Sequence, residues 1–233
     1  SAAKASFRSV RVVFPGEHIE CKAGARFGDG IVAVGGVPTV SKAGMLKYQE
    51  RTNYYYVLSD SKRYHPAVDD VCVGVVRSKG KDKYFVDIGA YRDAELDNLA
   101  FENATKRSRP LLEDGDAVYC RVSELAERPH VVCVSKRNME DGYGPLVGGW
   151  VFDVPQLTAR RLMADGCSVL ATIGQYTPFE VAVGVNGRVW VRSPNPGRDV
   201  VVEHCIVACI GVADANVAGT VKLVWESWQK VVD

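Results

Sequence analysis

The sequence predicts a multidomain protein of mixed β and α+β class, with three structural units in series. Short apolar and β-branched segments, separated by Gly and Pro, fill the first part of the chain, as is typical of small β domains. The last part adds segments whose apolar residues recur at helical spacing. We therefore expect a small β domain over residues 1–64, a β-barrel over 65–137 and an α+β domain over 138–233.

The first unit is predicted to consist of strands and turns. Its strongest strand signals are Val10–Phe14, which Pro15-Gly16 ends, and Tyr54–Leu58. Between them, Ile31–Val34 is a third strand signal that Gly35-Gly36 ends. Because no helical period occurs in this region, we expect a β domain whose thin core depends on its neighbours.

The second unit shows short strands at regular spacing, with Gly at the bends. This pattern favours an OB-type barrel of about five strands. Four of these strands are visible in the sequence. They are Val71–Val76, Lys83–Ile88, Ala117–Val122 and Val131–Val134.

Strand Lys83–Ile88 carries the first candidate residues for RNA binding. Its side chains alternate between two faces, so Lys83 and Phe85 point outward if Tyr84 and Val86 point into the core. An exposed aromatic ring beside a Lys suits single-stranded RNA, because a base stacks on the ring while the ammonium group meets a phosphate. The alternative is that Phe85 packs against a neighbouring domain.

Further candidates are basic or aromatic residues in the loops that flank the barrel strands. The formal net charge of the chain is only +1, so a local cluster of cations is informative about a polyanionic partner. Such a cluster could also be a solvated loop, but its position beside an OB-type barrel favours RNA. These candidates are Tyr91, Arg92, Lys106, Arg107 and Arg109.

The third unit combines strands and helices in the manner of a KH-like domain. Pro155 can occupy the first position of a helix that Gly166 ends, and Asp199 can cap a helix that continues to Ile210. An amphipathic closing helix is indicated by apolar residues at helical spacing. These are Val221, Val224, Trp225 and Trp228.

Segment 184–187 has the G-x-x-G spacing of the loop with which KH domains clamp a nucleic-acid backbone. Here it joins two predicted strands, 179–183 and 188–191, and Asn-Gly between such strands is typical of a tight hairpin. We therefore favour a structural turn that packs against the next domain, with a phosphate clamp as the alternative. The residues assigned to it are Gly184, Asn186, Gly187 and Trp190.

The sequence contains no catalytic motif of the H-E-x-x-H, G-x-S-x-G or P-loop type. Its seven cysteines lack C-x-x-C spacing and mostly lie in apolar runs, which predicts buried, reduced thiols; Cys205 and Cys209 fit a core helix better than a metal site. We see no signal peptide and no transmembrane segment. We therefore expect no catalytic residue, no metal site, no cofactor and no membrane partner.

The order of the three units and several local strings resemble the S1/KH cap subunits of the RNA exosome, in particular the ribosomal RNA-processing protein 40 family. The strings are V-F-P-G-E at 13–17, K-R-Y-H-P at 62–66 and F-E-N-A-T-K-R-S-R-P at 101–110. Y-T-P-F-E-V at 176–181 leads to the most specific string, G-V-N-G-R-V-W-V at 184–191. A sister S1/KH cap shares the order and the G-x-N-G turn, but the A-T-K-R-x-R-P pattern favours the first assignment.

This resemblance implies an S1-type OB-fold barrel in a cap without an active site. Such a cap sits on a ring of RNase-PH-like subunits beside other caps, and single-stranded RNA passes it toward a separate 3′-to-5′ exonuclease during RNA degradation and rRNA processing. It also implies a nuclear and nucleolar location, with some protein in the cytoplasm, a structural G-x-N-G turn, and ring docking through the first and third units. Two rival functions stay open: a purely structural adaptor of the ring, and an RNase.

Overall fold

The computed structural model describes residues 8–50, 52–59, 63–105, 107–135 and 142–232. The chain divides into two compact units, one ending at Ser61 and one beginning at Lys62. The predicted barrel and the predicted α+β domain lie together in the second unit. Within the described ranges, no helix combines the length and the apolar character that crossing a bilayer requires.

The described residues of the first unit form six strands, so its predicted β character is correct. A four-stranded sheet has the order β1-β5-β6-β2, and β3 and β4 form a separate hairpin closed by Gly35 and Gly36 at positive φ. A small core that includes Val13, Leu46 and Val57 holds these strands together. The strands are β1 Arg8–Val13, β2 Arg26–Phe27, β3 Ile31–Val34, β4 Val37–Val40, β5 Gly44–Gln49 and β6 Tyr54–Leu58.

The second unit begins with a closed barrel, which confirms the predicted OB-like architecture. Its sheet has the order β11-β9-β8-β7-β10-β12, and an additional pairing of β10 with β11 closes it. Four of these strands were predicted, whereas β9 and β12 have no clear signal in the sequence. The strands are β7 Val71–Lys79, β8 Lys83–Asp87, β9 Ala94–Phe101, β10 Ala117–Leu125, β11 Pro129–Cys133 and β12 Gly144–Leu146.

Strand β8 alternates between the barrel core and the outside, as predicted. Tyr84 and Val86 are fully buried in the core, while Lys83, Phe85 and Asp87 are only partly buried. The strand therefore offers three side chains to the outer surface of the barrel.

The α+β domain follows, with a three-stranded sheet of order β13-β15-β14 and four helices. Its core combines residues of the sheet and of all four helices, for example Val189, Ile173 and Trp225. The predicted closing helix is present as α4. The elements are β13 Trp150–Asp153, α1 Gln156–Leu162, α2 Ser168–Ile173, β14 Glu180–Val183, β15 Arg188–Arg192, α3 Pro196–Ala208 and α4 Asp214–Val232.

Two predicted helix starts are displaced in the structure. Pro155 precedes α1 at the cap position instead of occupying its first turn. The cap of α3 is Asn195, whose side chain accepts a hydrogen bond from the Gly197 amide at 2.9 Å, and Pro196 takes the first helical position. Asp199 is therefore not the cap. It lies buried within the first turn and accepts a hydrogen bond from the Ser193 amide at 2.6 Å.

Candidate nucleic-acid interface

Phe85 on the outer face of β8 is flanked by two cations. The Lys83 ammonium lies 5.7 Å from the centre of the ring, and the Arg128 guanidinium carbon lies 5.3 Å from it. Phe85 as a residue is partly buried. Aromatic surface and positive charge are thus presented together, which is the combination that stacks a base and meets its phosphates.

Glu95 on β9 lies directly opposite Phe85 and pairs with Lys83. The Lys83 ammonium donates to the Glu95 carboxylate at 2.7 Å, and the Glu95 side chain is only 17% exposed. This hydrogen bond lowers the pKa of Glu95 from its ordinary value, with burial acting in the opposite direction. Glu95 is therefore ionised at neutral pH and orients Lys83 beside the ring.

The loop after β8 is tied to the turn between β10 and β11. The Tyr91 hydroxyl donates to the backbone carbonyls of Ala126 and Glu127, at 3.3 and 3.0 Å. Arg92 forms an ion pair with the Glu127 carboxylate. These contacts place Tyr91 and Arg92 next to the turn that carries Arg128.

Arg128 is a member of this surface that the sequence did not indicate. Its guanidinium lies by the Phe85 ring and donates to the Asp93 carbonyl at 3.5 Å. No sequence signal was available, since Arg128 lies in the turn between β10 and β11 and meets Phe85 only because the barrel closes. We call the surface formed by Lys83, Phe85, Tyr91, Arg92 and Arg128 the Phe85 face.

The second basic region is the segment 105–110, which we call the arginine loop. A tight turn shapes it, in which the Ser108 amide donates to the Thr105 carbonyl at 3.2 Å and the Thr105 amide donates to the Ser108 carbonyl at 2.8 Å. Arg107 is exposed and Arg109 is partly exposed, and neither forms an ion pair with any other described residue. Lys106 lies outside the described residues.

The two basic regions lie at opposite ends of strand β9. The loop that carries Tyr91 and Arg92 precedes this strand, and the arginine loop follows it. An extended strand of this length spans roughly 25 Å. Tyr91 and Arg92 are therefore separated from the arginine loop by the length of β9, while Lys83 lies between them, opposite Asp97 in the middle of that strand.

The turn 184–187 joins β14 and β15 and packs against the barrel. The Asn186 side-chain amide donates to the Val73 carbonyl at 2.8 Å and to the Ile88 carbonyl at 3.0 Å. The Asn186 side-chain oxygen accepts from the Val73 amide at 3.3 Å. Asn186 thus bonds to both β7 and the residue that follows β8, and its amide is used by protein partners.

Gly184 and Gly187 lie so close to neighbouring atoms that a side chain at either position would clash. A Cβ at Gly184 would overlap the Asn186 side-chain oxygen and lie 2.5 Å from the Val73 amide nitrogen. Gly187 has a φ of +86°, and a Cβ there would lie 2.5 Å from the Val154 carbonyl oxygen. Glycine at position 184 is therefore required by the contact with the barrel, and glycine at position 187 by its positive φ and by the Val154 carbonyl of the α+β domain.

Arg188, the residue after the turn, extends the contact to Asp87 at the end of β8. Its guanidinium donates to the Asp87 carbonyl and, at 3.0 Å, to the Asp87 carboxylate. Arg77 donates to the same carboxylate at 2.6 Å, and the Gly89 amide does so at 2.8 Å. Burial tends to raise the pKa of Asp87, but these donors outweigh it and hold the pKa below its ordinary value.

Trp190 completes the contact between the barrel and the α+β domain. It is 5% exposed, and its indole donates to the Gly148 carbonyl at 2.7 Å. With Val73 and Ala182 it forms a separate small apolar core. We call the contact formed by Asn186, Arg188 and Trp190 with the barrel the seam.

Metal binding and reactive thiols are the remaining kinds of site to consider among the described residues. No group of three His, Cys, Asp or Glu side chains in the described part of the chain could hold a metal ion. Burial raises the pKa of the Cys205 thiol to about 12, so this thiol is protonated at neutral pH. Cys205 and Cys209 both pack in the core of the α+β domain, as predicted.

A closed OB-like barrel with a cationic, aromatic outer face, joined to a KH-like domain, defines a protein of the S1/KH class. Residues 64–144 match the family described as exosome complex component RRP40, S1 domain, and residues 149–197 match the KH domain family. Exosome complex component rrp40 of Schizosaccharomyces pombe is 42% identical over 180 residues, which cover 75% of this chain and 74% of that protein. The chain belongs to the exosome RRP40 family.

Other relatives agree with this assignment. Exosome complex component RRP40 of Drosophila melanogaster is 36% identical, over 84% of this chain and 88% of that protein. The human protein of the same name is 32% identical, over 78% of this chain and 69% of that protein. The fold is shared with a crystal structure of a protein assigned as an exosome complex RNA-binding protein, with a TM-score of 0.57 and 23% identity over 74% of this chain and all of the other.

Proposed function

We propose that this protein is a non-catalytic, RNA-binding cap subunit of the exosome, which guides single-stranded RNA toward a 3′-to-5′ exonuclease. The observation that carries the proposal is the Phe85 ring, flanked by Lys83 and Arg128 on an OB-like barrel of an RRP40 family member. Such a surface would bind a flexible single strand, and the proposal assigns it no part in cleavage.

The Phe85 face would act by stacking together with electrostatic attraction. A base on the Phe85 ring contributes roughly 1–3 kcal/mol, and every base has a face that can stack. Lys83, Arg92 and Arg128 would meet phosphates, whose charge does not depend on sequence. The binding is therefore largely independent of RNA sequence, which suits a passage through which many transcripts move.

The arginine loop would provide a second contact with the RNA backbone. Lys106, Arg107 and Arg109 would attract phosphates at the far end of β9 from the Tyr91 loop. OB folds bind about 4 to 16 nucleotides, so one strand of RNA can contact both regions along the outside of the barrel. The G-x-N-G turn takes no part in this contact and instead braces the barrel on the α+β domain.

The proposal extends to partners and location. The first unit and the α+β domain would dock on RNase-PH-like ring subunits, with other cap subunits as neighbours and an associated exonuclease downstream. The protein would work wherever the exosome works, in the nucleus and nucleolus and also in the cytoplasm, on RNA degradation and rRNA processing.

The test is the double variant Lys106→Ala with Arg107→Ala in a reconstituted exosome. Affinity for single-stranded RNA should fall, and the slope of log affinity against log salt should become shallower by about 1.4, since each lost phosphate contact removes about 0.7. The matched control is Arg160→Ala with Lys222→Ala, which removes two exposed cations from the α+β domain. Unchanged affinity and slope in the arginine-loop variant would contradict the assignment of this loop.

A purely structural adaptor is the second candidate function, and the ion pairs on the Phe85 face favour it. Lys83 and Arg92 already have carboxylate partners within the barrel. Crosslinking of RNA in the assembled complex separates the two functions. Crosslinks on Phe85 or the arginine loop support the RNA path, and their absence from this barrel supports the adaptor.

A third possibility, that the protein is itself an RNase, is tested by incubating the purified chain with labelled single-stranded RNA and Mg²⁺. Decay of the RNA caused by the purified chain would contradict a non-catalytic role.

A further inference from the structure

The two ion pairs on the Phe85 face differ in how deeply their carboxylates are held. Glu95, the partner of Lys83, has a side chain that is 17% exposed. Glu127, the partner of Arg92, has a side chain that is 83% exposed. Solvent and counterions therefore compete freely for the second pair but hardly reach the carboxylate of the first.

The Glu127 carboxylate is not what holds the turn between β10 and β11 in place. Tyr91 bonds to this turn through the backbone carbonyls of Ala126 and Glu127, and Arg128 bonds through the carbonyl of Asp93. These hydrogen bonds remain when the Glu127 side chain loses its charge. The ion pair with Arg92 therefore adds little to the local structure, and its main effect is to neutralise one cation of the Phe85 face.

We propose that Glu127 is a built-in competitor of RNA, whose carboxylate occupies the Arg92 guanidinium until an RNA phosphate displaces it. This inference rests on the proposed function, since it requires RNA on the Phe85 face. Phosphate and carboxylate offer a guanidinium the same kind of oxygen acceptors, so the exchange replaces one charge-assisted contact by another. The carboxylate that is released returns to water, where it is already mostly exposed.

The consequence for RNA is a contact that forms and breaks easily. An exposed ion pair opposes the exchange only weakly, which corresponds to a reduction in RNA affinity of about two- to fivefold. A strand that moves past the barrel benefits from such a contact, because each phosphate is released as readily as it is bound. The arginine loop has no comparable carboxylate among the described residues, so its cations are available without exchange.

The variant that tests this is Glu127→Gln, in an exosome reconstituted with the full chain. Fluorescence anisotropy with an unstructured single-stranded RNA oligonucleotide should show affinity about two- to fivefold higher than wild type at low salt, with a gain that shrinks as salt rises. The matched control is Glu124→Gln, which makes the same charge change on the same hairpin at an exposed residue without a cation partner among the described residues. The control should gain much less.

A second variant separates displacement from a general change in charge. In the Arg92→Ala background, Glu127→Gln should no longer increase affinity beyond the Glu124→Gln control. Equal affinity of Glu127→Gln and wild type, or an undiminished gain without Arg92, would overturn the inference. Crosslinking of RNA to the wild-type complex separates failure of this inference from failure of the proposed function. If Phe85 crosslinks to RNA but Glu127→Gln does not increase affinity, only the role of Glu127 as a competitor is refuted. If no residue of the barrel crosslinks to RNA, the proposed function is refuted as well.

Discussion

Two charged networks beside strand β8 differ in how far they are exposed to solvent. In the Phe85 face, the side chains of the Arg92–Glu127 pair are 45% and 83% exposed. In the seam, the side chains of Asp87 and Arg188 are each 16% exposed. Strand β8 has only five residues, so one short element contributes both to the Phe85 face and to the domain contact.

This difference in exposure shows that the number of ion pairs alone does not indicate how much each pair contributes to stability. At the seam, Asp87 accepts from Arg188, Arg77 and the Gly89 amide, so the carboxylate has a fixed position and removal of one partner leaves a charge in a partly buried place. In the exposed Arg92–Glu127 pair of the Phe85 face, solvent replaces a lost partner at little cost. The seam pairs therefore fix the contact between the two domains, whereas the exposed Arg92–Glu127 pair contributes little to stability.

Among the variants that test this comparison, Arg188→Ala is expected to have the largest effect, which is a loss of folding stability. Loss of its two bonds to Asp87 should lower the free energy of unfolding by about 3 kcal/mol, because charged hydrogen bonds in a sheltered site are broken. Urea unfolding of the full chain measures it. Lys222→Ala, which breaks an exposed pair on α4, is the control and should cost less than about 1 kcal/mol. Equal costs for the two variants would erase the distinction between seam and surface pairs.

A smaller effect, on binding and not on stability, is expected for Phe85→Leu. The variant keeps apolar volume but removes the ring, so RNA affinity of the assembled complex should fall about fivefold, near the lower limit for a lost base stack. Titration with single-stranded RNA measures this change. Phe27→Leu, at an exposed aromatic of the first unit, is the matched control and should bind normally. A large loss of folding stability in Phe85→Leu would instead show that this end of β8 is structural too.

The smallest effect concerns acid pH. Because the folded-state pKa of Asp87 is lowered, its stabilising contribution is complete above the unfolded pKa of about 3.9 and is lost as pH falls through the folded value. The difference in unfolding free energy between wild type and Asp87→Asn should thus be constant above about pH 5 and shrink below about pH 4. A difference that persists undiminished at lower pH would mean that the carboxylate charge does not contribute at the seam.

Local patterns in the sequence were sufficient for several of these features. The two faces of β8 follow from strict alternation, since Tyr84 and Val86 are apolar enough to define the inner side. The structure has the predicted hairpin between β14 and β15, although only Gly187 of the Asn186-Gly187 pair has the positive φ that this residue pair favours. In each case the information lies within a few neighbouring residues.

Features that depend on tertiary contacts could not be predicted from the sequence. Strand β9 contains Glu95, Asp97 and Asn98, which are poor strand formers, and its pairing with β8 and β11 stabilises it in the barrel. Arg128 joins Phe85 only when the barrel closes. The separation of the arginine loop from the loop that carries Tyr91 and Arg92 likewise follows from the path of β9, and the role of each predicted RNA-binding residue stays a prediction.

Strand β7 belongs to the barrel and also packs against the α+β domain. Cys72 points into the barrel core, while the next residue, Val73, lies in the apolar core of the seam with Trp190. The strand is thus shared by two cores, and the Asn186 side chain adds bonds to its backbone. The barrel and the α+β domain are consequently coupled. Any contact that fixes the orientation of the α+β domain therefore also fixes the orientation of the Phe85 face.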